Sequence, residues 1–315
     1  MYKLMLAVSI LLGTVTGAEM AHAQAAETTL DFGDGSVYTG QVKNGKPNGK
    51  GTLISGRLGR YEGNWVNGVK SGFGKYTFHL KEDKVFDKED KLYHDRDWKT
   101  HYEGQWANNR QNGQGTEVHS IRDASYQKKE DGGWIQKEGG YSYEIRKGSF
   151  KDDDFTAGYS GYLDDEFQAW FAYKDSKVAV KMEGKSLKLI DPRKVQMLDS
   201  NADEQLASYS FHYSNKNNKN LYDEIHLSPS VIAAGTYKNN QMIDGVKIIK
   251  KVSGIESTWT QQSYNNGKPG EVKNITETAA DQSFAKYRSS YLSLITPYLK
   301  GFDEIRSKAD TFLNQ

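Results

Sequence analysis

The chain contains no cysteine. Disulfides, thiolate zinc sites, a cysteine nucleophile and a lipid-bearing N-terminal cysteine are therefore excluded. Proline is scarce, with 5 among 315 residues. Neither sign of charge dominates: 42 Lys and Arg stand against 41 Asp and Glu, for a net +1. That balance removes the electrostatic ground for a nucleic-acid binder or a polybasic membrane anchor. Apolar residues make up only 36%, and no run approaches the roughly 20 residues of a transmembrane helix. What the chain has in quantity is glycine (31) and aromatics, with 20 Tyr, 12 Phe and 6 Trp. Few aliphatic residues beside much Gly and Tyr point to a thin, half-buried β-architecture, not a thick α/β core.

The N-terminus reads as an address. Lys3 precedes a nearly continuous apolar stretch from Leu4 to Val15, and Ala21-His22-Ala23 offers a small-x-small cleavage site. This is the form of a secretory signal peptide cut after Ala23. At about 12 residues the apolar stretch is short for a membrane span. Residues 1–23 are expected to be removed, leaving a periplasmic or secreted protein.

An internal repeat organises the first half. The pattern Y-x-G-x-[VW]-x-N-[GN]-x-x-x-G-x-G occurs at residues 38–51, 61–74 and 102–115, with a longer gap before the third copy. Tyr61, Gly63 and Trp65 share one parity, so a strand would turn them to one face. A glycine between two aromatics leaves a slot where a neighbouring ring can lie on the backbone. Asn44-Gly45 and Asn67-Gly68 are two-residue hairpin signals, because a type I′ turn needs positive φ at both positions. Asn108-Asn109 is a weaker version of the same signal. Each copy is thus expected to be a hairpin, and successive hairpins to pair in an antiparallel meander.

This spacing resembles the MORN repeat (membrane occupation and recognition nexus), over residues 36–116. Val42 replaces the usual Trp in the first copy, and Asn109 the usual Gly in the third. The resemblance implies a curved, elongated sheet whose aromatic stripe lines a groove. It also implies a scaffold or a membrane-associated module, in some cases fused to an enzyme. Decayed copies, or generic hairpins of like composition, are suggested at Gly148-x-Phe150, Gly158–Tyr162, Gly235–Gly245 and Tyr264–Gly270.

The remainder divides by composition. Residues 79–100 carry dense mixed charge, as a solvated hairpin extension would. Residues 117–143 suggest a second long hairpin turning at Asp131-Gly132-Gly133. Strand-like runs follow at 167–173, 178–182, 187–190, 207–213 and 246–252. From Thr278, Phe284, Tyr287, Tyr291, Leu294, Tyr298, Phe302, Ile305, Ala309 and Phe312 recur every three or four residues, the mark of amphipathic helix. Thr296-Pro297 inside that run predicts a cap and a break between two helices. The expected fold is mainly β: an elongated antiparallel MORN-repeat meander with extended hairpin insertions and a C-terminal amphipathic helical segment. Its parts are a repeat sheet at 24–162, further antiparallel sheet at 163–276 and helices at 277–315.

Catalytic signatures are missing. None of the histidines forms an H-E-x-x-H or similar metal pair, and no nucleophile elbow is present. The acidic run Asp152-Asp153-Asp154, with Asp164-Asp165-Glu166, offers oxygen ligands for Ca²⁺ but lacks the alternation of an EF-hand loop, so a solvated turn is the plainer reading. No cofactor, metal or enzymatic activity is expected. The expected function is that of a non-catalytic exported scaffold, engaging an envelope or secreted protein through its aromatic sheet face. Tyr61, Trp65, Tyr102 and Trp106 are the candidate partner-binding residues, and the same rings would equally serve as packing. The alternatives are a peripheral module for membrane lipid or envelope glycan and, more distantly, a cell-envelope hydrolase.

Overall fold

The computed structural model describes residues 27–57, 59–86, 92–164, 167–184, 209–214, 220–227, 230–253 and 256–313. The segment read as a signal peptide and the strand-like run at 187–190 lie outside them. The strands follow one another in meander order in an antiparallel sheet and end in a helix. The mainly β expectation is borne out. The chain divides into two compact units, one running through Gly139 and including Gly148–Phe155, the other holding Gly140–Lys147 and Thr156–Gln315.

The first unit is built from β1 (Thr28–Asp31), β2 (Ser36–Lys43), β3 (Lys46–Ser55), β4 (Gly59–Val66), β5 (Val69–Phe86), β6 (Leu92–Ala107), β7 (Arg110–Lys128) and part of β8 (Trp134–Lys151). Its hairpin tips are Asn44-Gly45, Asn67-Gly68, Asn108-Asn109 and Asp152-Asp153, every one with positive φ at both residues. Asn67 at 49° and Gly68 at 88° show why the pair is Asn-Gly: each tolerates the left-handed region that a type I′ turn requires. The second turn residue also reaches back to the preceding hairpin. Gly68 N donates to Pro47 O (2.8 Å), Asn109 N to Lys70 O (3.2 Å) and Asp153 N to Gln111 O (3.0 Å). Asp152-Asp153, weighed above as a calcium ligand or a solvated turn, is thus a turn of the repeat kind.

The mixed-charge insertion is the far half of the β5–β6 hairpin, which pairs as far as Phe86 and Tyr93. Arg96 bridges Glu82 (3.2 Å) and Asp123 (3.3 Å) across three strands, while Arg122 meets Asp95 at 3.2 Å. The Arg96 pairs are exposed and screened by solvent, so they contribute little to stability. The second long hairpin turns where expected: Lys129 N donates to Gly133 O (2.7 Å), and Gly133 N to the Asp131 carboxylate (2.8 Å).

The second unit takes up the rest of β8 and most of β9 (Asp154–Asp164). It continues through β10 (Gln168–Lys174), β11 (Lys177–Gly184), β12 (Tyr209–Ser214), β13 (Leu221–Leu227), β14 (Val231–Lys238), β15 (Gln241–Ser253), β16 (Glu256–Asn265), β17 (Lys268–Pro269) and β18 (Lys273–Ile275). The hairpin-like stretches expected at Gly235–Gly245 and Tyr264–Gly270 fall at the β14–β15 and β16–β17 turns, while β13 and the short β18 are additions to the expected set. In β13 the adjacent acids Asp223 and Glu224 interrupt the polar/apolar alternation, so the pattern does not stand out. Trp170, Met182, Phe211, Ile225, Ala234 and Val246 lie in one cross-strand row and are all buried.

The helix α1 (Glu277–Leu313) contacts β10 and β13–β16. Phe284, Tyr291, Ile295, Leu299, Phe302 and Ile305 form its buried stripe. The expected break at Thr296-Pro297 is absent, which corrects the two-helix reading. Pro297 removes one helical N–H and crowds the carbonyl of Ser293, a cost of about 3 kcal/mol. Three side chains buried beyond it, each contributing about 1.5–3 kcal/mol, outweigh that cost and hold the helix on the sheet. Pro297 itself faces solvent.

Candidate binding surface of the repeats

The repeat motif becomes a lattice once the strands are in register. Gly40, Gly51, Gly63, Gly74, Gly104 and Gly115 are successive cross-strand partners, a glycine row spanning β2 to β7. Beside it runs a second row: Tyr38, Leu53, Tyr61, Tyr76, Tyr102 and Glu117. The repeat tyrosines fold over the glycines. A Cβ added to Gly51, Gly74 or Gly115 would lie 2.2, 2.3 or 2.4 Å from the hydroxyl of Tyr38, Tyr61 or Tyr102 respectively. Each hydroxyl then donates to the carbonyl three residues on, at Gln41 (2.7 Å), Asn64 (3.0 Å) and Gln105 (3.0 Å).

The tryptophans interleave with the tyrosines. Ring centroids run Tyr38–Trp65 (5.4 Å), Trp65–Tyr61 (5.1 Å), Tyr61–Trp106 (5.2 Å), Trp106–Tyr102 (5.1 Å) and Tyr102–Phe150 (5.3 Å), all edge to face. Each such pair contributes about 0.5–1.5 kcal/mol beyond its burial. The indole N–H groups are satisfied inside the sheet, Trp65 donating to Gly51 O (3.1 Å) and Trp106 to Gly74 O (3.2 Å). Phe150 stands where a fourth copy would carry its tryptophan, just before the Asp152-Asp153 turn. The suggested decayed copy at Gly148-x-Phe150 therefore shares the packing role of its predecessors.

The four candidate partner-binding residues are brought together and enclosed. Tyr61, Trp65, Tyr102 and Trp106 are 1%, 5%, 0% and 7% exposed. Burial raises the Tyr61 hydroxyl beyond its ordinary range. For Tyr102, burial first and then the Glu117 and Asp153 carboxylates push it up to about 12. The rings themselves are the core of this unit. Val42, Leu53, Tyr76 and Phe155 stand partly exposed against them, and Lys70 lies over the rings beside Tyr76. The Lys70 ammonium lies 4.9 Å from the Tyr61 and Trp106 centroids and 5.3 Å from Tyr76. Desolvation lowers its pKa, and the Asp153 carboxylate works in the opposite sense.

Two features escaped sequence reasoning. The residue between the Gly and the Val or Trp is polar in all three copies, and in two of them it caps the bulge beside the turn. Gln41 Oε1 accepts from Lys50 N and Gln105 Oε1 from Gln114 N, both at 2.9 Å. Gly113, with φ of 106°, leaves the space that the Gln105 amide fills, since a Cβ there would meet its oxygen at 2.0 Å. The recurrence of Gln, Asn and Gln at this position was the available signal. The other feature is Lys70, which no pattern marked. On the opposite face, Thr39, Thr52, Glu62, Lys75, Glu103 and Thr116 form a polar row. No helix among the described residues is long and apolar enough to cross a membrane, and no described cluster of three or more His, Asp or Glu could hold a metal ion.

The family model for the MORN repeat matches residues 38–56, 61–79 and 102–120. No curated protein matches the chain.

Proposed function

The chain carries three MORN repeats, and from them we propose that it is a non-catalytic repeat scaffold, exported from the cell, that engages an envelope or secreted protein over its aromatic sheet face. The family is generally non-catalytic, in keeping with the absence of nucleophile and metal motifs from the sequence. One observation carries the reading. The Tyr and Trp rings are locked by glycine slots, indole hydrogen bonds and edge-to-face contacts, which makes the sheet a preorganised platform. Preorganisation spares the ordering cost that weakens a flexible interface. In this reading Tyr61, Trp65, Tyr102 and Trp106 act as the support, and Leu53, Tyr76 and Lys70 above them make the contact.

Export is tested by fractionation together with N-terminal sequencing, which should begin at Gln24 in the periplasm or medium. The binding face is tested by affinity capture from a detergent-solubilised envelope, with Leu53→Lys and Tyr76→Lys as paired variants. Both positions are half-buried, so the lattice beneath should survive the change. Loss of one identified protein from both variants supports the proposal. Capture of that protein unchanged by either variant removes this face from the reading.

A further inference from the structure

The second unit holds a cavity of about 420 Å³ between β13–β16 and α1, within the size range of small-molecule sites. Asp223, Thr236 and Asp244 line it and are direct cross-strand partners on β13, β14 and β15. Their carboxylates are held in place: Thr236 Oγ1 donates to Asp223 Oδ1 (2.7 Å), and Asn266 N to Asp244 Oδ1 (3.2 Å). A carboxylate accepts about four hydrogen bonds, so each keeps lone pairs for a ligand. Glu224 also lines it, but its carboxylate is engaged by Ser210 and lies 3.8 Å from His212, so Asp223 and Asp244 are the acids left for a ligand. No lysine or arginine lines the cavity among the described residues.

Acids alone would read as a solvated rim. The cavity, however, is also walled by Tyr264, Tyr287 and Tyr291. Tyr291 is 4% exposed, yet its hydroxyl has no hydrogen-bond partner. A buried hydroxyl without a partner is uncommon and asks for one. Two carboxylates with no lysine or arginine in the described lining, aromatic walls and an idle phenol oxygen together describe an ammonium site. The oxygens accept N–H groups, which a primary ammonium has and a quaternary one lacks. Asp223 and Asp244 stand two strand spacings apart, roughly 9–10 Å between backbones, which suits two ammonium groups on one short chain.

We propose that this cavity binds a small primary amine as its ammonium ion, preferentially a short diamine paired with Asp223 and Asp244. The test is calorimetric titration of the full chain with putrescine at low salt, beside choline and the neutral polyol erythritol. Putrescine should bind saturably, choline more weakly and erythritol not at all. Asp223→Asn and Asp244→Asn should each weaken putrescine by about tenfold or more, the loss of one charge-assisted pair. Tyr291→Phe keeps the ring and should weaken it severalfold. Asp244 is exposed and contributes little to packing, so its variant stays informative if Asp223→Asn unfolds. The proposal is overturned by the absence of saturable putrescine binding, by equal binding of erythritol, or by an affinity unchanged in a folded Asp244→Asn protein.

Discussion

The Tyr61 hydroxyl occupies the space that a side chain at Gly74 would need: a Cβ there would lie 2.3 Å from its oxygen and 2.5 Å from the ring carbon that carries it. Tyr61 comes from one strand of a hairpin and Gly74 from the other, and the contact recurs as Tyr38 over Gly51 and Tyr102 over Gly115. The glycines of the repeat are there to receive rings.

Gly74→Ala should therefore destabilise the protein by about 1–3 kcal/mol, the usual cost of overpacking a site that cannot give way. Gly56→Ala is the control, since its added Cβ meets nothing within 4 Å and its φ is not positive. Urea midpoints measure both. A midpoint for Gly74→Ala equal to wild type would mean that the tyrosine moves aside at no cost.

Trp65→Ala and Trp106→Ala should each lower stability by about 3–5 kcal/mol, because a buried indole is lost and its N–H bond with it. Any loss of partner capture in these two variants has to be read against the unfolding curve of the same protein.

The hairpin tips predict a ranking. At Asn109, φ is 70°, and the side-chain oxygen accepts from Lys70 N at 2.8 Å. Asn109→Gly gains about 1 kcal/mol of backbone freedom and loses a hydrogen bond of about 0.5–1.5 kcal/mol, so the two nearly cancel. Asn109→Ala loses both and should cost about 2 kcal/mol. Thermal denaturation of the pair checks the order, and an equal cost for both would put the whole effect in the hydrogen bond.

Pro297→Ala should stabilise the second unit by about 1–3 kcal/mol, restoring a helical N–H at an exposed position without touching the buried stripe. The expected readout is a higher Tm with more helical ellipticity. A lower Tm would mean that the backbone geometry fixed by the proline helps both halves of α1 reach the sheet.

Alkaline pH should loosen the repeats in a defined window. Burial, with the Glu27 carboxylate adding to it, pushes Tyr38 up to about 12, and burial with the Glu117 and Asp153 carboxylates does the same for Tyr102, against an ordinary value of 10.0. The folded state thus holds protons that the unfolded chain releases. Their contribution is complete below pH 10 and is lost as pH rises through 12. Urea midpoints should fall across that window, with tyrosinate absorbance rising as the protein unfolds. A midpoint constant to pH 12 would contradict the burial of these hydroxyls.

How much of this was legible follows from how local each signal is. Alternation, Gly-x-aromatic spacing and Asn-Gly tips are written in neighbouring residues, so the repeats, their hairpins and their meander order could be read directly. The polar residue before Val42, Trp65 and Trp106 was equally visible, but the role of Gln41 and Gln105 required a partner, Lys50 N or Gln114 N, that only the folded hairpin supplies. The exposure of the stripe was not readable at all. Tyr61 and Trp106 belong to different hairpins and meet at 5.2 Å only because the glycine row brings their strands into register. Interleaving then encloses the rings and leaves residues such as Leu53, Tyr76 and Lys70 partly exposed over them. In α1 the order of forces reversed. Local chemistry at Thr296-Pro297 asked for a break, and burial on both sides of it prevailed. The cavity holding Asp223, Thr236 and Asp244 likewise exists only because three strands align there beneath a helix from the end of the chain. Sequence by itself determined the repeating unit and its turns, because backbone sterics and side-chain parity act within a few residues. Tertiary register decided which side chains are core, which are surface and which acids converge, because those depend on partners far away along the chain.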